Sequence, residues 1–96
     1  MIKSNNMKQK KIESLELLNY EGCVLKAHRI KGHIYVITDE YKNIVDDLSY
    51  SEFKDFINGK IDVVDSKNRT WNFANSPKEA KPTNEKIDEF LKFYFI

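Results

Sequence analysis

In the stretch "CVLKAHRIKGH" one cysteine and two histidines recur at equal intervals: Cys23, His28 and His33. Thiolate and imidazole are the donors of zinc sites, and a thiol beside a histidine base is a nucleophile. Either chemistry needs the side chains to converge, and a structural zinc ion needs three or four donors doing so. In the hairpin that the surrounding residues imply, Cys23 faces the core while His28 and His33 face away from it. Neither a metal site nor a thiol nucleophile is therefore expected, and Cys23 reads as a small core residue.

Other candidate chemistry disperses in the same way. Asp46 and Asp47 are adjacent carboxylates, but neighbours on a strand point to opposite faces and share neither a proton nor an ion. The segment "DEYKN" lacks the glycine and distal glutamate of a calcium loop, so the acidic stretch reads as a solvated rim. Gly22, Gly32 and Gly59 all fall at turns or helix ends, which leaves none to cradle a phosphate. Ser49 stands at a helix start, and no G-x-S-x-G surrounds any serine. Trp71 and Phe73 could stack on nucleic-acid bases, yet their pairing turns both inward with Ile61 and Val63. A non-catalytic chain with no cofactor and no metal is the expectation.

The elements that hold these residues can be read from periodicity. Residues 7–20 have Ile12, Leu15 and Leu18 at roughly helical spacing, with Gly22 placed as a C-terminal cap, and predict a helix. Residues 23–38 predict a hairpin about a two-residue turn at Lys31-Gly32. That turn pairs Ile30 with His33, His28 with Tyr35 and Lys26 with Ile37. One face then carries Cys23, Leu25, Ala27, Ile34 and Val36 toward the core. The opposite face carries Val24, Lys26, His28, Ile30, His33, Tyr35 and Ile37. A turn over residues 39–42 leads to a short third strand in "NIVDD".

The segment "LSYSEFKDFINGK" has a capping box in Ser49 and Glu52, a hydrophobic staple in Leu48 and Phe53, and a stop at Asn58-Gly59. Residues 60–73 predict a second hairpin with a three-residue loop over 66–68. That loop puts Asn68 in the left-handed region and aligns Val63 with Trp71 and Ile61 with Phe73. Residues 76–82 predict a short helical turn ended by Pro82, and Thr83 caps a last helix reaching about Tyr94. The expected fold is α+β, an antiparallel sheet of about five strands in two hairpin units with helices in the order α-βββ-α-ββ-α. Residues 1–6 are expected to fray, and 7–96 to form a single domain.

Composition narrows the function classes. The 96 residues carry a net charge of +1 and are 41% hydrophobic, with six Phe, five Tyr and one Trp to build a core. No apolar run approaches membrane-spanning length, and the lysine-rich start resembles no signal peptide. The single cysteine fits a reducing, cytoplasmic setting. The Lys, Asn and Ile bias suggests an AT-rich bacterial or phage genome. Charge is uneven: residues 1–33 hold seven basic and three acidic side chains, residues 39–65 three and eight. Only Arg29 and Arg69 are arginine, which disfavours base readout.

Two surfaces remain for interaction. One is the non-core hairpin face with Lys26, His28, Ile30, His33 and Tyr35, unless the N-terminal helix covers it. The other is the C-terminal "FLKFYFI", in which Phe93, Phe95 and Ile96 widen the apolar arc of Ile87, Phe90, Leu91 and Tyr94. The expected function is a small cytosolic protein-interaction or accessory module that binds a protein partner or a second copy. The alternative is a nucleic-acid-binding accessory protein using the basic N-terminal third and the aromatic strands.

Overall fold

The computed structural model describes residues 13–30 and 33–92. Strands β1 (Ser14–Tyr20), β2 (Cys23–Ile30), β3 (Ile34–Asp39) and β4 (Ile44–Leu48) form an antiparallel meander in that order. Helix α1 (Tyr50–Ile57) follows, then a separate ribbon of β5 (Val63–Val64) and β6 (Thr70–Trp71). A 3-10 turn at Lys78–Ala80 leads to helix α2 (Asn84–Leu91). The fold is α+β, with its described strands divided between a four-stranded sheet and a two-stranded ribbon.

The first correction concerns residues 14–20, which are strand β1 and not part of a helix; residues 7–12 lie outside the described residues. Leu15 pairs with Ala27 and Leu18 with Leu25, both on the core face, and the register shifts between Glu16 and Leu18. The residue left over by that bulge is Leu17, which is fully buried. A bulge breaks the alternation of a strand, so leucines at 15, 17 and 18 can all reach the core, and the spacing of three between Leu15 and Leu18 imitates a helix. Gly22 is correspondingly no helix cap. Glu21 and Gly22 have φ of 53° and 83° and form the two-residue turn between paired Tyr20 and Cys23.

Three hairpin loops share one construction. Ile30 pairs with Ile34, the Asp39 amide bonds to the Asn43 carbonyl, and the Asp65 amide to the Arg69 carbonyl. Each loop therefore has three residues, and the third takes positive φ: 60° at His33, 67° at Lys42 and 64° at Asn68. In each, the amide of that third residue closes on the residue before the loop. The loop over 66–68 and the Val63–Trp71 pairing match expectation. The expected two-residue turn at Lys31-Gly32 does not form, and the extra residue moves β3 by one position. Such a slip exchanges the faces of a strand. Tyr35 and Ile37 are fully buried, whereas Ile34 is exposed and Val36 half-buried. On β2 the expected faces hold, with Leu25 and Ala27 in the core.

The core lies between one sheet face and the two helices. Tyr35 stacks on Phe53 with ring centroids 4.5 Å apart and planes 11° apart, and Phe90 meets both rings edge-on at 5.6 and 5.8 Å. These contacts set the C-terminal half of α2 beside the N-terminal half of α1. Ser49 and Glu52 complete the expected capping box, with bonds of 3.2 and 2.9 Å, and Leu48 and Phe53 are buried as a staple requires. The Lys60 amide reaches the Asp55 carbonyl and the Gly59 amide the Phe56 carbonyl, which is a Schellman ending. Gly59 has φ of 81°, and a Cβ there would stand 2.6 Å from that of Ala74, so both backbone and space require glycine. Thr83 caps α2 through the Lys86 amide at 3.2 Å. Its far end is held by Arg29, whose Nη1 donates to the carbonyls of Phe90 and Lys92 at 2.6 and 2.7 Å.

Candidate functional site

The equal spacing of Cys23, His28 and His33 spreads them along the hairpin. Cys23 follows the β1–β2 turn, His28 sits in mid-strand, and His33 lies in the loop beyond the far end of β2. At about 3.3 Å per strand residue, Cys23 and His28 are some 16 Å apart along the chain. Cys23 is half-buried against the core. Among the described residues no three His, Cys, Asp or Glu side chains gather to hold a metal ion.

Charged groups do converge at the tips of two hairpins. Asp39 and Asp65 are 2% and 4% exposed. Asp39 Oδ1 accepts the amides of Tyr41 and Asn43, both at 2.9 Å, and its Oδ2 accepts the Ser66 hydroxyl at 3.3 Å. Asp65 Oδ1 accepts the amides of Lys67 and Arg69 at 2.9 and 3.0 Å. Its Oδ2 accepts Arg69 Nε at 2.6 Å and Trp71 Nε1 at 2.9 Å. Arg69 reaches on to Glu40 at 2.9 Å, and Glu40 accepts the Val24 amide at 3.1 Å. Burial alone would raise the Asp65 pKa, but the bonds from Trp71, Arg69 and Lys67 outweigh it and hold the carboxyl below its usual range. The Val24 bond, opposed by desolvation and aided by Arg69, does the same for Glu40. Every one of these oxygens is engaged in holding a loop, so the cluster joins the ribbon to the sheet and offers no free base or nucleophile.

The remaining surface is the sheet face turned away from the helices. Cross-strand pairing lays it out in rows: Glu16 beside Lys26, Thr38 and Ile44, then Ser14 beside His28, Val36 and Asp47, then Ile30 beside Ile34. Ile30, Ile34 and Ile44 are 50%, 36% and 68% exposed. Val24 and Val36 are half-buried. His28 Nε2 lies 2.8 Å from Thr38 Oγ1. Burial, and then the Lys26 charge, lower the His28 pKa, so the neutral imidazole is favoured on this face. A shallow concavity of about 400 Å³ runs past Val24, Lys26, His28 and Thr38 toward Glu40 and Lys42.

Of the residues expected on this face, Lys26, His28 and Ile30 are on it. Tyr35 is not: the one-residue slip of β3 places its ring in the core against Phe53. There burial raises its phenol pKa, with the Arg29 charge acting in the opposite sense. His33 is not paired with Ile30 as expected but closes the loop, its amide bonding to the Ile30 carbonyl at 3.1 Å. Phe93, Phe95 and Ile96 lie outside the described residues. Sequence reasoning missed Ile34, Val36, Thr38 and Ile44 on the outer face. For the three on β3 the signal is loop length, since a three-residue loop reverses that strand, and Ile44 follows from its pairing with Thr38. Trp71 and Phe73 are buried, as their pairing implied.

No helix of the described residues is long and apolar enough to cross a membrane. In comparisons with known proteins, no family model, no curated protein and no solved structure matches the chain.

Proposed function

We propose that the chain is a non-catalytic protein-interaction module whose docking surface is the outer face of the four-stranded sheet. The observation that carries this reading is three exposed isoleucines on one sheet face, Ile30 beside Ile34 at one end of β3 and Ile44 beside Thr38 at the other. An antiparallel sheet that stands with one side in water ordinarily presents polar side chains there. Covering three half-exposed isoleucines contributes on the order of 1 kcal/mol each, a useful share of a specific contact. Lys26 and Glu16 on one side and Asp47 on the other supply charges that orient a partner. The nucleic-acid reading loses one of its supports, because the rings of Trp71 and Phe73 are buried and present no stacking surface.

The test is affinity capture from a native extract with the wild-type chain and with an Ile30→Asp, Ile44→Asp variant of matching circular dichroism. A protein retained by the first and lost by the second is the expected outcome. Equal recovery on both baits would move the docking surface elsewhere.

A further inference from the structure

Strand β1 ends the four-stranded sheet on one side, whereas the opposite edge, β4, is packed beside β5. The Arg29 amide bonds to the Glu13 carbonyl at 2.8 Å, while the Val24 amide turns away from β1 to Glu40. Alternation along the pair then aims the main chain of Leu15 and Leu18 at β2, and that of Ser14, Glu16 and Asn19 at the open side. These three residues are exposed, and among the described residues no main-chain partner meets them there. Beyond them lies a trough of about 580 Å³, closed on its far side by the 3-10 turn, Pro82 and Lys86. We infer that this edge is a docking site for an extended segment of a partner protein, one that alternates basic and apolar side chains and joins the sheet as a further strand.

The chemistry of the edge selects that occupant. A row of unpaired N–H and C=O groups in extended geometry is a template for another extended main chain. β1 has neither the lysine nor the proline that commonly blunts an edge strand, and its bulge falls beyond Glu16. Side chains of an added strand alternate between the two faces of the sheet. Those on the outer face stand beside Ser14, Glu16 and Asn19, and those on the inner face meet Leu15, Ala80 and Pro82. From Glu13 to Glu21 the chain carries three glutamates and no basic side chain, which favours lysine or arginine opposite them. The same charges disfavour a second copy, whose β1 would set carboxylates against carboxylates. On the far wall the Lys81 ammonium is held by the carbonyls of Phe73 and Ala74 at 3.2 and 3.3 Å, and Glu79 offsets the charge of Lys86. The inference does not rest on the isoleucine face, since Ile30, Ile34 and Ile44 all lie on other strands.

The experiment is amide hydrogen exchange on the full chain, read by NMR, with a capped peptide of alternating valine and lysine in excess. Exchange at Ser14 and Glu16 is expected to slow about tenfold, while Leu15 and Leu18, already bonded to β2, keep their rates. Unchanged rates at Ser14 and Glu16 would overturn the inference. So would slow exchange there before the peptide is added, which would show the edge already covered. Two further peptides carry a methyl on the main-chain nitrogen of every lysine or of every valine. A strand offers every second N–H to its neighbour, so one of the two is expected to lose the effect and the other to keep it. The same result with both would contradict strand addition. Glu16→Lys is expected to weaken the peptide about twofold to fivefold with unchanged circular dichroism, and equal affinity would contradict a basic partner. The Ile30→Asp, Ile44→Asp variant is expected to bind the peptide as the wild type does. A loss confined to that variant would place the peptide on the sheet face and overturn the edge.

Discussion

Asp39 and Asp65 occupy the same position in two different hairpins, and the loop opened by one is bonded to the carboxylate of the other. Each precedes a three-residue loop, each accepts two amides of its own loop on Oδ1, and Ser66 of the second loop donates to Asp39 Oδ2 at 3.3 Å. A short ribbon of two-residue strands has little ladder of its own. These carboxylates supply what the ladder does not.

Asp65→Ala is accordingly expected to cost about 2–4 kcal/mol, because it orphans two amides and the Trp71 indole and leaves Arg69 with Glu40 alone. Asp39→Ala, which has no arginine partner, is expected to cost less, about 1–3 kcal/mol. Urea unfolding of both variants checks the order. Equal or reversed costs would show that the ribbon is held by its apolar contacts.

Gly59→Ala combines a left-handed backbone with a Cβ contact of 2.6 Å to Ala74. The expected loss is about 2–3 kcal/mol, of which roughly 1 kcal/mol is the backbone term. Adding Ala74→Gly removes the contact and leaves the φ, so the double variant is expected to recover part of the loss. Gly22→Ala, with φ of 83° and open space around it, is expected to cost only about 1 kcal/mol. Thermal melts of the four proteins separate the two effects.

Ser49→Ala removes the side-chain acceptor for the Glu52 amide and is expected to destabilise by about 1 kcal/mol. A silent substitution, read by denaturant midpoint, would mean that the Leu48–Phe53 staple alone sets the start of α1.

His28 carries a pH dependence whose sign follows from its surroundings. Burial and Lys26 lower its folded pKa beneath the unfolded value near 6.5. The folded state thus binds the proton more weakly than the unfolded chain. Full stability is present above the unfolded pKa and falls as pH drops through it toward the folded pKa. Melting temperatures between pH 7.5 and 5 are expected to decline, and His28→Gln to flatten that part of the decline. Lys26→Gln is expected to raise the His28 pKa, measured from imidazole proton shifts. A pKa that stays put would remove the lysine from the explanation.

What the residue pattern revealed, and what it hid, has a common physical origin. The start of α1, its glycine stop, the 66–68 loop and the Thr83 cap are local devices, each defined within about four residues. They were legible for that reason. The β1 strand was not, because a bulge brings both Leu15 and Leu18 to the core face at a spacing of three, which a helix face also has, and only pairing with β2 separates the two. The β2–β3 loop was misjudged by one residue because Gly32 seemed the natural owner of a positive φ. His33 holds one at 60°. The strain of a non-glycine residue there, on the order of 1–2 kcal/mol, is offset by the burial of Tyr35 and Ile37, which the shorter loop would turn outward. Half of the outer face followed from that single position.

The most direct measurement of the sheet-face account is equilibrium binding of the captured protein to the wild-type chain and to Ile34→Glu, by calorimetry under one salt condition. Ile34 lies on the outer face and is 36% exposed, and it adjoins Ile30 across the strand pair. The account predicts that dissociation becomes at least tenfold easier with the fold intact, a change of about 1.4 kcal/mol. Lys54→Glu, on α1 and remote from that face, is predicted to leave the affinity unchanged. Unaltered binding by Ile34→Glu, or a loss confined to Lys54→Glu, would contradict it.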